Sequence, residues 1–167
     1  SIPEDNPITK DGVVLGQHLF YDPILSIDST ISCSSCHKPE LAFTDGKKFS
    51  TGVDGLTTRR SSMSILNIAY TNNGLFWDGR SFVLEHQALL PIEDPVEMAD
   101  TWENVESKLQ RSSLYQKLFR KAFGISNSTE INRTLAGKAI AQFERILISG
   151  DSKYDRVEFG TNATYTN

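Results

Sequence analysis

A mainly α domain is the fold class this sequence predicts, and three observations carry it. Apolar residues recur at helical spacing through the second half of the chain, small polar residues able to cap a helix stand ahead of those runs, and no alternating run is long enough to argue for a sheet. Thr9 predicts the cap of a first helix whose Leu15 and Leu19 share a face and which stops at Asp22-Pro23, because the residue before a proline disfavours helical geometry. From Ser26 to about Ser62 the chain turns to Ser, Thr, Gly and Asp without a sustained period, which predicts a long loop. Ser81 precedes a helix from Phe82 to Leu90 that Pro91 ends. Thr101 precedes one carrying Trp102, Val105 and Leu109, and Leu114, Leu118 and Phe119 continue the pattern after Arg111-Ser112-Ser113. The longest helix is predicted from Asn127, with Glu130 as its capping-box partner, through Ile131, Leu135, Ala139, Ile140, Phe143 and Leu147 to Ser149-Gly150.

Composition bounds the class. With 167 residues, 38% hydrophobic and 23% charged, the chain can bury one core, and 17 Lys plus Arg against 21 Asp plus Glu leave a net charge of −4. The longest basic cluster is the pair Arg59-Arg60, which argues against a nucleic-acid partner, since phosphate binding needs concentrated positive charge. No apolar run approaches the roughly 18 residues of a membrane span. The start at Ser1-Ile2-Pro3 reads as a processed or trimmed product, its export signal removed.

The only two cysteines lie in Cys33-Ser34-Ser35-Cys36-His37. A structural zinc site needs four ligands, and the remaining histidines, His18 and His86, are far apart and unpaired. A thioredoxin-like pair should open a helix in a βαβ unit, and none follows. Covalent haem attachment uses all three residues: both thiols add to the haem vinyl groups as thioethers, and one helical turn points the next imidazole at the iron. The long loop is then expected to wrap the haem edge, in a c-type cytochrome-like helical domain. Such maturation takes place outside the bacterial inner membrane, so the compartment implied is periplasmic.

The chemistry depends on the iron's sixth position. An electron carrier closes it, commonly with Met, and Met98, 61 residues after His37, and Met63 are candidates alongside His18 and His86. A peroxide-activating haem leaves it open beneath an acid/base group. The segment Pro91-Ile92-Glu93-Asp94-Pro95-Val96-Glu97-Met98 carries three carboxylates braced by two prolines, a frame able to hold one carboxylate over an iron, although alone it also reads as solvated surface.

Four ordered motifs add a resemblance. Leu15-Gly16 with Leu19 to Pro23, then Cys33 to His37, then Phe76-Trp77-Asp78-Gly79-Arg80, then Gln87 with Pro95-Val96-Glu97-Met98 resemble the N-terminal domain of bacterial di-haem cytochrome c peroxidases, a superfamily that includes the enzyme maturing the tryptophan-derived cofactor of methylamine dehydrogenase. The resemblance runs from about residue 10 to 160, with 1–167 read as a single domain. It implies one haem c held by Cys33 and Cys36 with His37 as proximal ligand and metal ligand, Glu97 as distal acid/base, Gln87 as distal glutamine, Pro91 in the distal pocket, and Trp77 between the two haems as an electron relay. Hydrogen peroxide is the implied oxidant.

Three departures qualify it. Where many members place a histidine that closes the resting iron, this chain has Thr51-Gly52-Val53-Asp54-Gly55, which predicts an open or water-filled sixth site. The family's Arg-Asn pair, whose Asn serves a calcium site, is Arg60-Ser61, so calcium binding stays open. Family members also continue into a second haem domain that receives electrons from a donor cytochrome or cupredoxin. The chain ends without one and is expected to be a fragment, Asp151 to Gly160 resembling the approach to the inter-domain connection. The peroxidase half and a one-haem electron carrier with His/Met ligation remain as two readings, beside a domain that never took up haem.

Overall fold

A computed structural model describes residues 2–160 and Thr164; Ser1 and the remaining C-terminal positions, which the single-domain reading of 1–167 includes, lie outside the described residues. Helix α1 spans Lys10–Tyr21, and the Thr9 hydroxyl accepts a hydrogen bond from the Gly12 amide at 3.0 Å. At the other end the Asp22 carboxylate accepts from the Ile24 amide and caps the 3₁₀ turn Pro23–Leu25, so both predicted boundaries hold. Leu15, Leu19 and Phe20 are fully buried. They face helix α7, Arg133–Arg145, and the approach is so close that a Cβ on Gly16 would stand 2.0 Å from the Ala139 carbonyl oxygen.

Between these helices the chain is mostly irregular. One turn, α2 at Cys33–Cys36, interrupts the long loop; short turns α3 at Leu84–Gln87 and α4 at Leu90–Glu93 follow. Among the described residues there is no sheet, only three isolated bridges. Helices α5, Trp102–Arg111, and α6, Ser113–Phe123, form the predicted pair; Ser112 ends the first and caps the second, and Gly124 ends α6 at φ 68°. Their Trp102, Val105, Leu109, Tyr115 and Phe119 join Leu15, Leu19, Ile131 and Ile140 in the main core. Burying each such side chain stabilises the fold by about 1.5–3 kcal/mol.

Several boundaries differ from the sequence reading, and the end of the longest helix is one: α7 stops at Arg145, short of the expected Ser149-Gly150, with Leu147 beyond it. Phe82 and Val83 are exposed and non-helical, and Pro91 sits in the first turn of α4 instead of ending a helix, a position where its missing N–H costs nothing. Asn127 and Glu130 do form a capping box, but on the 3₁₀ turn Ser128–Glu130. The chain then extends through buried Ile131, and a second cap, the Asn132 side chain accepting from the Leu135 amide, starts α7. Lastly, part of the expected connecting segment is helical: α8, Lys153–Glu158, starts at a capping box between Ser152 and Asp155.

Candidate haem-binding site

The Cys-x-x-Cys-His segment is held in place by its neighbours' backbone. The Ser35 hydroxyl accepts from the Ser32 amide at 3.0 Å as α2 begins, and at its end the His37 amide donates to the Cys33 carbonyl at 2.9 Å. Both thiols and the imidazole therefore belong to one turn. Ser62 donates to the Cys36 carbonyl at 2.5 Å from across the loop. The thiols are not bonded to each other. Burial, with the Glu144 charge second, pushes the Cys33 thiol up to about 12, and burial raises Cys36 as well. A reactive dithiol needs the opposite shift. Among the described residues no group of three or more His, Cys, Asp or Glu gathers as a metal site.

The His37 ring is oriented by a carbonyl. Its Nδ1 lies 2.9 Å from the Phe43 oxygen, which can only accept, so Nδ1 carries the proton and Nε2 keeps the lone pair. Burial lowers the His37 pKa and favours that neutral form. Two consecutive left-handed residues, Ala42 (φ 55°) and Phe43 (φ 57°), turn the carbonyl inward, an arrangement that costs free energy in non-glycine residues. Two backbone bonds made by Lys38, its N–H to Thr44 O and its carbonyl accepting from Phe43 N–H, hold the turn.

This donor set fits a c-type haem: two unpaired thiols flank one helical turn, and a neutral imidazole follows whose Nδ1–H is engaged and whose Nε2 is available. Glu97 belongs to the turn that follows α4. Its amide donates to the Asp94 carbonyl at 3.0 Å, and its carbonyl accepts from Val53 at 2.9 Å. The glycine-rich loop is docked on that turn so closely that a Cβ on Gly52 would lie 2.1 Å from the Val96 oxygen. Burial, then the neighbouring Asp94 charge, pushes the Glu97 carboxyl up to about 7 against an opposing pull from Arg80. After burial and closer groups, the Glu97 charge adds a small upward push on both thiols, so the carboxylate lies within electrostatic reach of the Cys-x-x-Cys-His turn.

The other sequence candidates are placed less tightly. Gln87 ends α3, partly buried, its backbone amide donating to the Val83 carbonyl at 2.9 Å and its side-chain amide making no hydrogen bond among the described residues; Pro91 stands in α4 between Gln87 and Glu97. Trp77 is 60% exposed, its indole N–H donating to the Ser61 carbonyl at 2.8 Å. Met98 is buried in the main core beside Ile92 and Trp102, whereas Cys33 packs on a separate cluster of Phe20, Ile65 and Phe143. The Met63 main chain lies against the His37 ring. Sequence reasoning missed two participants. Glu144 of α7 is buried with Oε2 unpartnered, its pKa pushed up to about 8 by burial; a carboxylate among the core residues of the longest helix was the available signal. The Phe43 carbonyl, a backbone group, left no sequence signal.

Comparison with known proteins identifies the family and the fold. The family model for di-haem cytochrome c peroxidase matches residues 10–163. The methylamine utilization protein MauG of Methylorubrum extorquens is 37% identical over 95% of this chain and 44% of its own length. The cytochrome c peroxidase Ccp of Escherichia coli is 36% identical over 93% of this chain and 32% of its own. Among solved structures, a MauG-like protein associated with microbial copper homeostasis superposes with TM-score 0.88 at 35% identity, covering 99% of this chain and 48% of the other. The diheme peroxidase BthA of Burkholderia thailandensis gives 0.81 at 27%, covering 96% and 45%. The chain thus spans less than half the length of these relatives. With a helical fold shared over nearly its whole length and an attachment turn suited to haem c, this chain belongs to the di-haem cytochrome c peroxidase family.

Proposed function

We propose that this chain is the peroxidatic half of a di-haem cytochrome c peroxidase-like oxidoreductase, reducing hydrogen peroxide at a single haem c with Glu97 as distal acid/base. The observation that carries the reading is a carboxyl poised at about 7 on a braced turn, within electrostatic reach of both haem-attaching thiols. Cys33 and Cys36 would form the thioethers, and His37 would give its Nε2 to the iron. Bound haem would supply the redox chemistry that cleaves the peroxide O–O bond.

Glu97 does the proton work. A carboxylate near its pKa at neutrality takes a proton from the incoming peroxide and returns it to the departing oxygen, so that two electrons and two protons convert one peroxide to two waters. Gln87 cannot titrate; its side-chain amide, without a partner among the described residues, can hold peroxide or a water in line, with Pro91 stiffening the segment between Gln87 and Glu97. Arg80 limits the upward shift of the Glu97 pKa and is itself fixed, stacked 3.5 Å over Phe76 and paired with Asp78 at 3.0 Å. The loop docked on Glu97 through Gly52 and Val53 carries no histidine, which favours an open sixth site.

Electrons would arrive from a second haem domain through Trp77, that domain drawing on a donor cytochrome or cupredoxin. Covalent haem attachment favours a periplasmic location, and no helix among the described residues is long and apolar enough to cross a membrane. Ser61, standing where the family has its calcium asparagine, argues for weak or absent calcium binding. The electron-carrier alternative draws no support from Met98, which packs in the other core cluster.

Absorption spectra of the haem-loaded protein, oxidised and reduced, before and after peroxide, test the reading. A high-spin ferric spectrum that responds to peroxide is expected. A low-spin, methionine-ligated spectrum indifferent to peroxide overturns it.

A further inference from the structure

The proximal side of the site holds a row of aromatic rings that the peroxide chemistry does not use. Phe20 is fully buried, with its ring centroid 6.4 Å from that of His37. Tyr21 lies 5.2 Å from Phe20, edge-on, and 6.1 Å from Phe143, which itself stands 5.2 Å from Phe20. Tyr21 is 40% exposed, so the row leads from the proximal imidazole through a dry phenylalanine contact to solvent. At the surface it meets an open cleft of about 390 Å³ lined by Gln17, His18, Tyr21 and Asp22. Glu40, exposed on the turn after His37, is within electrostatic reach of the phenol.

We propose that Tyr21 is the surface end of an electron route to His37, taking electrons from small phenolic reductants that dock in the cleft on α1. The inference rests on the peroxidatic reading above, which supplies the oxidant. Of the residues in the row only Tyr21 is a readily oxidised phenol; Phe20 and Phe143 are not oxidised but provide close-packed contact in place of water. Tyr21 gives up one electron, which passes inward toward His37, and its phenolic proton, which goes to water at the exposed face. A docked phenol then returns one electron and one proton to Tyr21 and leaves as a phenoxyl radical. Two phenols consumed in this way balance the reduction of one peroxide to two waters. The cleft suits such a donor: the Tyr21 ring offers an apolar face, while the Gln17 amide, the His18 imidazole and the Asp22 carboxylate can hydrogen-bond a phenolic hydroxyl.

The test treats haem-loaded protein with peroxide and records the Soret band together with the electron paramagnetic resonance signal, using ring-deuterated tyrosine to identify a tyrosyl radical. A tyrosyl signal that is lost in Tyr21→Phe and kept in Tyr70→Phe and Tyr154→Phe is expected; those two tyrosines are more exposed, at 66% and 62%, and have no ring contact leading to His37. Spin-trap adducts mapped by mass spectrometry should fall on Tyr21. In Tyr21→Phe the Soret response to peroxide should persist while peroxide-driven oxidation of guaiacol, the phenol used as probe, is lost. A radical or adduct undiminished by Tyr21→Phe, with the Soret response intact, overturns this inference alone. A Soret band indifferent to peroxide in the unsubstituted protein overturns the peroxidatic reading and this inference with it.

Discussion

The two sides of the site are built in opposite ways. The Cys33–His37 turn is fixed by short-range backbone geometry: His37 N–H closes on Cys33, and the ring is aimed by a carbonyl six residues downstream. The segment from Leu84 to Asp100 has little regular structure, and Glu97 is held by a turn onto which a loop more than forty residues earlier has docked through Val53 and Gly52. The proposed attachment side is thus stiff by itself, whereas the proposed acid/base side is only as precise as a long-range contact. Damage should spread accordingly: changes near Glu97 should act on reactivity, and changes around His37 should act on stability and haem retention.

The largest effect is expected from Glu97→Gln, which keeps shape and removes the titratable group. Stopped-flow reaction of the haem-loaded protein with peroxide at pH 7 should slow by about 10²–10⁴-fold, the usual worth of a general acid/base, with the resting spectrum unchanged. Gly52→Ala comes next and bears directly on the comparison. A methyl 2.1 Å from the Val96 oxygen must push the Glu97 turn away, and a displacement of this kind can cost up to about 100-fold in the same assay while haem content stays constant.

Buried Glu144 gives a stability effect. Its folded pKa of about 8 lies above the ordinary carboxylate value of 4.5, so the folded state binds more protons than the unfolded state between those values. Stability should fall as pH rises through that window and be unaffected below it. Glu144→Gln should remove the slope and raise the melting temperature at pH 9 relative to the unsubstituted protein, as followed by thermal denaturation. The smallest effect belongs to Ser62→Ala on the attachment side. Losing the hydroxyl that donates to the Cys36 carbonyl should cost about 1 kcal/mol in denaturant titration and leave the peroxide rate unchanged. A large loss of reactivity there would break the contrast between the two sides.

The same contrast explains what could be read from sequence. Caps and periodic apolar faces are local, and Thr9, Thr101 and Leu109 sit where their spacing predicts. The Cys33–His37 turn was legible for the same reason. Asn127 is not the cap of α7 because a second asparagine, Asn132, competes as a cap five residues on, and Pro91 is no stop because a first-turn proline suits a start. The Glu97 role entered through family resemblance, because its environment depends on Gly52 and Val53, contacts no local pattern encodes. Glu144 and the Phe43 carbonyl needed the folded chain, one because burial sets its chemistry, the other because it is backbone.

The pH dependence of the second-order rate constant for peroxide, measured side by side for the haem-loaded protein and Glu97→Gln, tests the central claim most directly. If Glu97 is the base, the rate rises with pH and levels off through a midpoint near 7, where its carboxyl titrates, and the variant shows a slow rate without that midpoint. A profile that is flat across neutrality, or one that Glu97→Gln leaves unchanged, contradicts the assignment.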